Sequence, residues 1–207
     1  MRRILTTSLI ALTCAAIPLA AWAAQTDAPA PILHVHPAST AAATPKGLAP
    51  IVAKARLATA RYATSLEAAR KAGYTVNVTR MIPDMGWHFL NPKITGFDAS
   101  KPPILVYVKR GKAWHLVAFE WVFPEKPAKA PLPGATYGAF AAACHYADGT
   151  FVAAAAESDC ARTSPESGTG FGFWHPDFVT LHLWAWYPNP DGIYAGKNPL
   201  VSPFNGS

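Results

Sequence analysis

The chain has 207 residues, and its 18 Lys and Arg against 12 Asp and Glu give a formal charge of +6. This balance is only mildly basic, and no Lys/Arg run is interleaved with aromatic residues, so nucleic-acid and membrane-surface binding are unsupported. Charged residues make up 14% of the chain and aromatic residues 12%, which is typical of a small, well-buried globular protein.

Residues 1–23 are predicted to be a secretory signal peptide. Arg2 and Arg3 precede an apolar run that ends in the small-x-small pattern Ala21-Trp22-Ala23. Polar residues and a proline interrupt the run, which disfavours the alternative of an uncleaved membrane anchor. Cleavage after Ala23 would remove two arginines, lower the charge from +6 to +4, and leave a periplasmic or secreted protein without a transmembrane anchor.

Residues 24–46 are rich in Ala, Pro, Ser and Thr and lack apolar periodicity, so they are predicted to be a flexible lead-in. The lead-in contains His34 and His36 in a His-Val-His sequence. An exposed linker is the favoured interpretation, and a metal-capturing arm is the alternative. Residues 47–207 are then expected to form a single domain.

An amphipathic helix is predicted over residues 48–72, ending before Gly73. Its apolar stripe recurs at three- and four-residue spacing, and most basic residues lie off the stripe. The stripe consists of Leu48, Val52, Ala55, Thr59, Tyr62, Leu66 and Ala69. Its many small residues favour close packing on a flat partner, most simply a β-sheet.

The rest of the chain alternates with period two between turn residues, which predicts antiparallel strands. Gly111 and Gly149 are expected in tight hairpin turns, and three Asn-Pro pairs are expected to end strands or turns. The predicted strands are 86–90, 104–109, 113–123, 137–146, 150–156 and 179–187. Together these elements predict an α+β fold, with an N-terminal amphipathic helix packed on an antiparallel sheet of about five or six strands.

Cys144 and Cys160 are the only cysteines that remain after the predicted cleavage. A disulfide is expected, because thiols tend to pair in an oxidising compartment. The alternative, a pair of thiolate metal ligands, is less favoured because no short-spaced cysteine pair is present.

Three polar residues stand inside aromatic strands. His182 alternates with two indoles, so Thr180, His182, Trp184 and Trp186 are predicted to share one strand face. His88 lies in a second aromatic strand. Glu120 lies between Phe119 and Trp121 and is assigned to the same face as Trp114, Leu116 and Ala118. A carboxylate on a buried surface needs a partner or must be neutralised.

If His88, His182 and Glu120 converge on one face, they form a His-His-carboxylate set suited to zinc, copper or iron. The leading hypothesis is an exported protein that binds copper or zinc through His88 and His182, with Glu120 as a further candidate ligand. His115, His145 and His175 are weaker candidates. A lone strand histidine is otherwise more often a core or surface residue than a ligand.

Two other classes of function remain open. The first is a metal-free module that binds a small apolar ligand or an envelope protein through Trp87, Trp184 and Trp186. The second is an enzyme that uses His88 or His182 as general base with Glu120 as its partner. Standard hydrolase, kinase and dehydrogenase motifs are absent from the sequence, so catalysis ranks last.

An ordered series of five sequence segments lies between about Arg56 and Val201. They are ATARYATSLEAARKAGY, MGWHFLNP, KPPILVY, LVAFEWVFP and LHLWAWYPNPDGIYAGKNP. In this order they resemble a family of uncharacterised exported bacterial proteins. The resemblance implies one domain bounded by these segments and no particular activity. The residues that it singles out are His88, Glu120, His182, Asn189 and Asn198.

Overall fold

The structure, a computed structural model, describes residues 43–206. The predicted signal peptide, His34, His36 and most of the predicted lead-in therefore lie outside the described residues. The helices are α1 (Leu48–Thr59) and α2 (Leu66–Lys71), with short 3-10 helices at Ala60–Tyr62, Glu157–Asp159 and Pro199–Phe204. The strands are β1 (Val76–Ile82), β2 (Gly86–Leu90), β3 (Ile104–Arg110), β4 (Ala113–Phe123), β5 (Gly138–Phe140), β6 (Ala143–Tyr146), β7 (Phe151–Ala153), β8 (Phe171–His175) and β9 (Phe178–Leu183).

These strands form two antiparallel sheets. Six strands pair in the order β1-β2-β3-β4-β9-β5, and three pair in the order β7-β6-β8. The predicted antiparallel sheet is thus confirmed, but the α+β description was only partly right, because the fold is mostly β and has a second sheet. Neither helix in the described part of the chain has the length and apolar character needed to cross a membrane.

The predicted single helix is two short helices. The Ser65 side chain accepts a hydrogen bond from the Ala68 backbone N–H at 3.1 Å, and this N-cap starts α2. All seven residues of the predicted apolar stripe are nevertheless buried. Six of them belong to the main apolar cluster, which also contains the sheet residues Phe89, Leu105 and Phe119.

Strands β2 and β4 have the predicted bounds, whereas β1 and β8 were missed. In β1 the apolar alternation of Val76 and Val78 breaks at Arg80, whose guanidinium pairs with the Asp148 carboxylate. Strand β8 continues from a Ser/Gly-rich loop, and its pairing with β6 supplies the strand. The predicted strand 137–146 is divided into β5 and β6, which belong to different sheets.

A β-bulge in β4 changes which side chains share a face. Val106 pairs with Ala118, but the next residue, Tyr107, pairs with Leu116, so Val117 is the extra residue. Leu116 packs in the main apolar cluster with Trp114 against it, whereas Ala118 belongs to a second apolar cluster. The predicted common face of Trp114, Leu116, Ala118 and Glu120 was therefore wrong.

The predicted common face of Thr180, His182, Trp184 and Trp186 was wrong only at Trp186, since the Trp184 ring lies 4.8 Å from that of His182. Strand β9 ends at Leu183, so strict alternation stops there. Trp184 joins the second apolar cluster, which consists of Val106, Val108, Val117, Ala118, Trp184 and Val201. Trp186 packs against the main cluster instead, and its indole N–H donates to the Thr59 hydroxyl at 3.1 Å.

The predicted disulfide between Cys144 and Cys160 is confirmed, with Cα atoms 5.6 Å apart. It fixes β6, the central strand of the smaller sheet, to the loop around Cys160. Gly149 has the positive φ, +84°, expected in the following hairpin turn. Its carbonyl accepts the Arg80 backbone N–H at 2.8 Å, which joins this turn to β1 of the larger sheet.

The asparagines of the Asn-Pro pairs bond to backbone groups. The amide of Asn91 donates to the Ala72 carbonyl at 3.0 Å, so it closes the end of α2. The side-chain amide of Asn189 donates to the Lys197 carbonyl at 2.8 Å, and the side-chain amide of the buried Asn198 donates to the Pro188 carbonyl at 2.8 Å. These contacts give all three asparagines a structural role.

Candidate functional site

Strand pairing brings His88, Glu120 and His182 to the same face of the larger sheet. Glu120 of β4 lies directly opposite His182 of β9. His88 of β2 is opposite Val106, which is in turn opposite Ala118, two residues from Glu120 on the same face. This face lies opposite the one covered by the helices. We call these three residues the His88 cluster.

Distances within the His88 cluster are short. His88 Nε2 lies 3.5 Å from Glu120 Oε2, and the His88 and His182 ring centroids are 6.3 Å apart. The ring centroids of Trp184 and His182 are 4.8 Å apart. The side chains of His88 and Glu120 are 3% and 14% exposed, so Glu120 has the greater access to solvent.

Thr79 of β1 fixes the orientation of His88. Its hydroxyl lies 2.7 Å from His88 Nδ1, and both groups are buried. This contact leaves Nε2 directed toward Glu120. Hydrogen bonds of this kind to the second ring nitrogen are common for metal-binding histidines. Thr79 was missed from the sequence because β1 itself was missed; its only signal is its place in a β-branched run.

His182 has the opposite character. Both of its ring nitrogens are buried, and neither has a hydrogen-bond partner among the described residues. A buried polar atom without a partner costs about 1–3 kcal/mol. The fold therefore retains two costly nitrogens beside a carboxyl group and another imidazole.

Burial controls the protonation of the His88 cluster. It raises the pKa of Glu120 to about 8, and it lowers the pKa of His88 to about 4. Burial, reinforced by repulsion from His88, lowers the pKa of His182 to about 3. At neutral pH both imidazoles are neutral, which is the form that binds metal ions, and most of the Glu120 carboxyl is protonated.

A cavity of about 130 Å³ opens beside the His88 cluster. Its polar lining consists of Thr79, His88, Glu120 and Thr180. Its walls are apolar and include Val78, Ile82, Ile104, Val122, Phe140 and Phe178. His182, which pairs with Glu120 across the sheet, does not line the cavity. The cavity therefore gives a small molecule or hydrated ion access to the two outer members of the cluster.

The structure does not bring Trp87, Trp184 and Trp186 into one surface. Trp87 packs edge to face with Trp114 at 5.6 Å beside the main apolar cluster. Trp184 is 2% exposed, and its indole N–H donates to the Ala195 carbonyl at 2.6 Å. A common binding face for the three indoles is therefore absent, and phenylalanines supply the aromatic wall of the cavity.

Within residues 43–206, no group of three or more His, Cys, Asp and Glu side chains is spaced to hold a metal ion as it stands. Cys144 and Cys160 are joined to each other, so they are not available as thiolate ligands. Comparisons of the chain with protein-family models, curated proteins and solved structures gave no match.

Proposed function

We propose that this is an exported binding protein that holds a copper or zinc ion through His88 and His182, with Glu120 as a third ligand. The observation that carries the proposal is the pair of buried, unpartnered ring nitrogens of His182 on the same face as His88 and Glu120. A bound ion would give one of these nitrogens the partner that the protein does not supply.

The separation of the donor atoms supports this proposal. Two donor atoms bound to one tetrahedral ion at about 2.1 Å lie roughly 3.4 Å from each other. His88 Nε2 and Glu120 Oε2 are 3.5 Å apart, so they need little movement to share an ion. The Thr79 contact to Nδ1 keeps Nε2 directed toward Glu120.

His182 must adjust more than its partners. Two imidazoles on a tetrahedral ion have ring centroids roughly 5 Å apart, given a metal–nitrogen distance of about 2.1 Å. The observed centroid separation from His88 is 6.3 Å. We therefore expect a side-chain rotation of His182 on binding, with a water or an external ligand from the cavity in the fourth position.

The test is metal analysis of the untagged protein in a His34→Ala, His36→Ala background, which removes the lead-in histidines. Without a reductant, we expect one equivalent of Cu(II) or Zn(II) in this protein after challenge and dialysis, and at least a 100-fold weaker affinity in His182→Gln. His115→Gln changes another histidine of the larger sheet and is the matched control. Unchanged affinity in a folded His182→Gln variant would overturn the proposal.

The cavity favours one alternative function, the binding of a small organic molecule. An apolar cavity of about 150 Å³ can hold benzene, and this one measures about 130 Å³ with polar groups at its base. Phenol is a suitable probe, since its ring matches the walls and its hydroxyl could bond to Glu120. Saturable NMR shifts at Thr180 without metal, lost in Val122→Trp, would favour this alternative.

A further inference from the structure

A second pair of histidines lies at the junction of the two sheets. His145 is on β6 and His175 ends β8, and their ring centroids are 4.9 Å apart. His145 is fully buried and His175 is 9% exposed. We call these two residues the His145 pair; neither belongs to the His88 cluster.

Backbone contacts fix the tautomer of both rings. His145 Nδ1 lies 2.8 Å from the Val78 carbonyl oxygen, and His175 Nδ1 lies 2.7 Å from that of Pro176. A carbonyl oxygen only accepts hydrogen bonds, so each Nδ1 carries the proton and each Nε2 carries a lone pair. Both Nε2 atoms are buried without a hydrogen-bond partner in the described part of the chain.

Aromatic rings surround the His145 pair. Phe173 stacks on His145 with centroids 4.6 Å apart, Phe178 lies 4.2 Å from His175, and Phe140 contacts both histidines. The nearby Asp177 carboxylate already accepts the Ala142 backbone N–H at 2.7 Å. The donors presented by the pair are therefore two neutral nitrogens in an apolar setting.

We propose that His145 and His175 form a second metal site, which takes a monovalent copper ion through their two Nε2 atoms. Backbone carbonyls on the second ring nitrogen are the usual support for metal-binding histidines. The two rings already lie close together, with centroids 4.9 Å apart. A linear two-coordinate ion at about 2.1 Å would hold the centroids roughly 6.5 Å apart, so we expect the rings to move apart when the ion binds.

The apolar residues around the His145 pair favour one of the metal ions that imidazole binds. Zinc in proteins almost always takes four ligands, and a divalent charge in an apolar site needs compensating negative charge. Two neutral nitrogens among phenylalanines are better suited to Cu(I), which has a single charge and accepts fewer ligands. Cys144, next to His145, is held in the disulfide and does not compete for the ion.

This site does not depend on the proposed function. Phe140 and Phe178 line the cavity beside the His88 cluster and also contact His175, so they separate the two sets of histidines. Changes at His175 and His182 should therefore act on different equivalents of bound metal.

The test is an anaerobic Cu(I) titration, with ascorbate as reductant, of the untagged protein with His34 and His36 replaced by alanine. Nitrogen-15 NMR of the histidine rings is the readout. We expect the Nε2 resonances of His145 and His175 to shift together and saturate at one equivalent for this site. His175→Gln should weaken that equivalent at least 100-fold, and His182→Gln should leave it unchanged.

Two results would overturn this proposal. One is the absence of any shift at His145 and His175 in the parent protein under excess Cu(I), a measurement that needs no variant to fold. The other is unchanged binding in a folded His175→Gln variant. If His182→Gln loses an equivalent of metal and His175→Gln does not, the His88 cluster is supported and the second site is refuted. The two proposals therefore fail separately.

Discussion

The His88 cluster and the His145 pair bury histidines in different ways. In the cluster, the Thr79 hydroxyl holds the ring of His88, and the Glu120 carboxyl group is close by. Both ring nitrogens of His182 lack hydrogen-bond partners among the described residues. In the pair, two backbone carbonyls hold both rings, and each ring has one free nitrogen. The cluster thus supplies a ligand that can carry negative charge, Glu120, but holds only one of its two rings. The pair holds both of its rings but includes no charged ligand.

This difference separates two requirements of a binding site. A carboxylate compensates the charge of a divalent ion, but it must lose a proton to do so because burial raises its pKa. Neutral nitrogens avoid that proton release, but they leave the full charge of the ion to the protein interior. The expected preference is therefore a divalent ion for the cluster and a monovalent ion for the pair.

Removal of the disulfide is expected to have the largest effect on stability, and it should perturb the His145 pair but not the His88 cluster. Cys144→Ser with Cys160→Ser opens a loop with a sequence separation of 16 residues, and the chain-entropy model assigns such a loop about 3 kcal/mol of unfolding free energy. Urea unfolding measures this loss. NMR should show ring shifts at His145 and unchanged resonances at His88. Equal perturbation of both histidines would contradict the separation.

The pH dependence of stability should identify the carboxyl group of the His88 cluster. The folded pKa of Glu120, about 8, exceeds its ordinary value of 4.5, so above pH 4.5 the unfolded state loses this proton first. Stability then falls as pH rises toward 8, by up to about 1.4 kcal/mol per pH unit. The lowered pKa values of the four buried histidines act in the opposite direction until the unfolded imidazoles have lost their protons, about one pH unit above 6.5.

Urea unfolding in EDTA between pH 7.5 and 8.5 isolates the Glu120 contribution, because unfolded imidazoles with the ordinary pKa of 6.5 are about 90% deprotonated at the lower limit. Glu120→Gln should flatten the fall in unfolding free energy. His175→Gln is the control from the other region and should leave the slope as it is. The same slope in Glu120→Gln and the parent protein would assign the effect to another group.

Apolar replacements should have opposite signs in the two regions. His182→Leu removes two unpartnered nitrogens and is expected to stabilise the metal-free protein by up to about 1 kcal/mol. His145→Phe leaves the buried Val78 carbonyl without its donor and is expected to cost about 1 kcal/mol or more. Thermal unfolding measures both changes. Destabilisation by His182→Leu would mean that packing outweighs the unsatisfied nitrogens.

Local sequence patterns predicted much of the secondary structure. The apolar stripe of the helical region, the bounds of β2 and β4, and the disulfide agree with the structure. The break in the helix depends on the Ser65 cap, a signal that periodicity alone does not weigh. Strand β8 depends on its pairing with β6, because a glycine-rich segment has little strand preference of its own.

The candidate sites were predictable to different degrees. His88, Glu120 and His182 stood out because a polar residue inside an aromatic strand needs an explanation. Their common face depended on strand order and register, which local alternation does not reveal. His145 and His175 were weaker candidates, because only the backbone contacts of their Nδ1 atoms distinguish them from ordinary core histidines.

The sequence by itself determined the apolar stripe, most strands, the turn glycines and the cysteine pair, because each depends on neighbours within a few positions along the chain. Tertiary structure decided the second sheet, the reversal of faces in β4, and which histidines meet. Those features depend on pairings between distant strands, in which a shift of one residue moves a side chain to the other face.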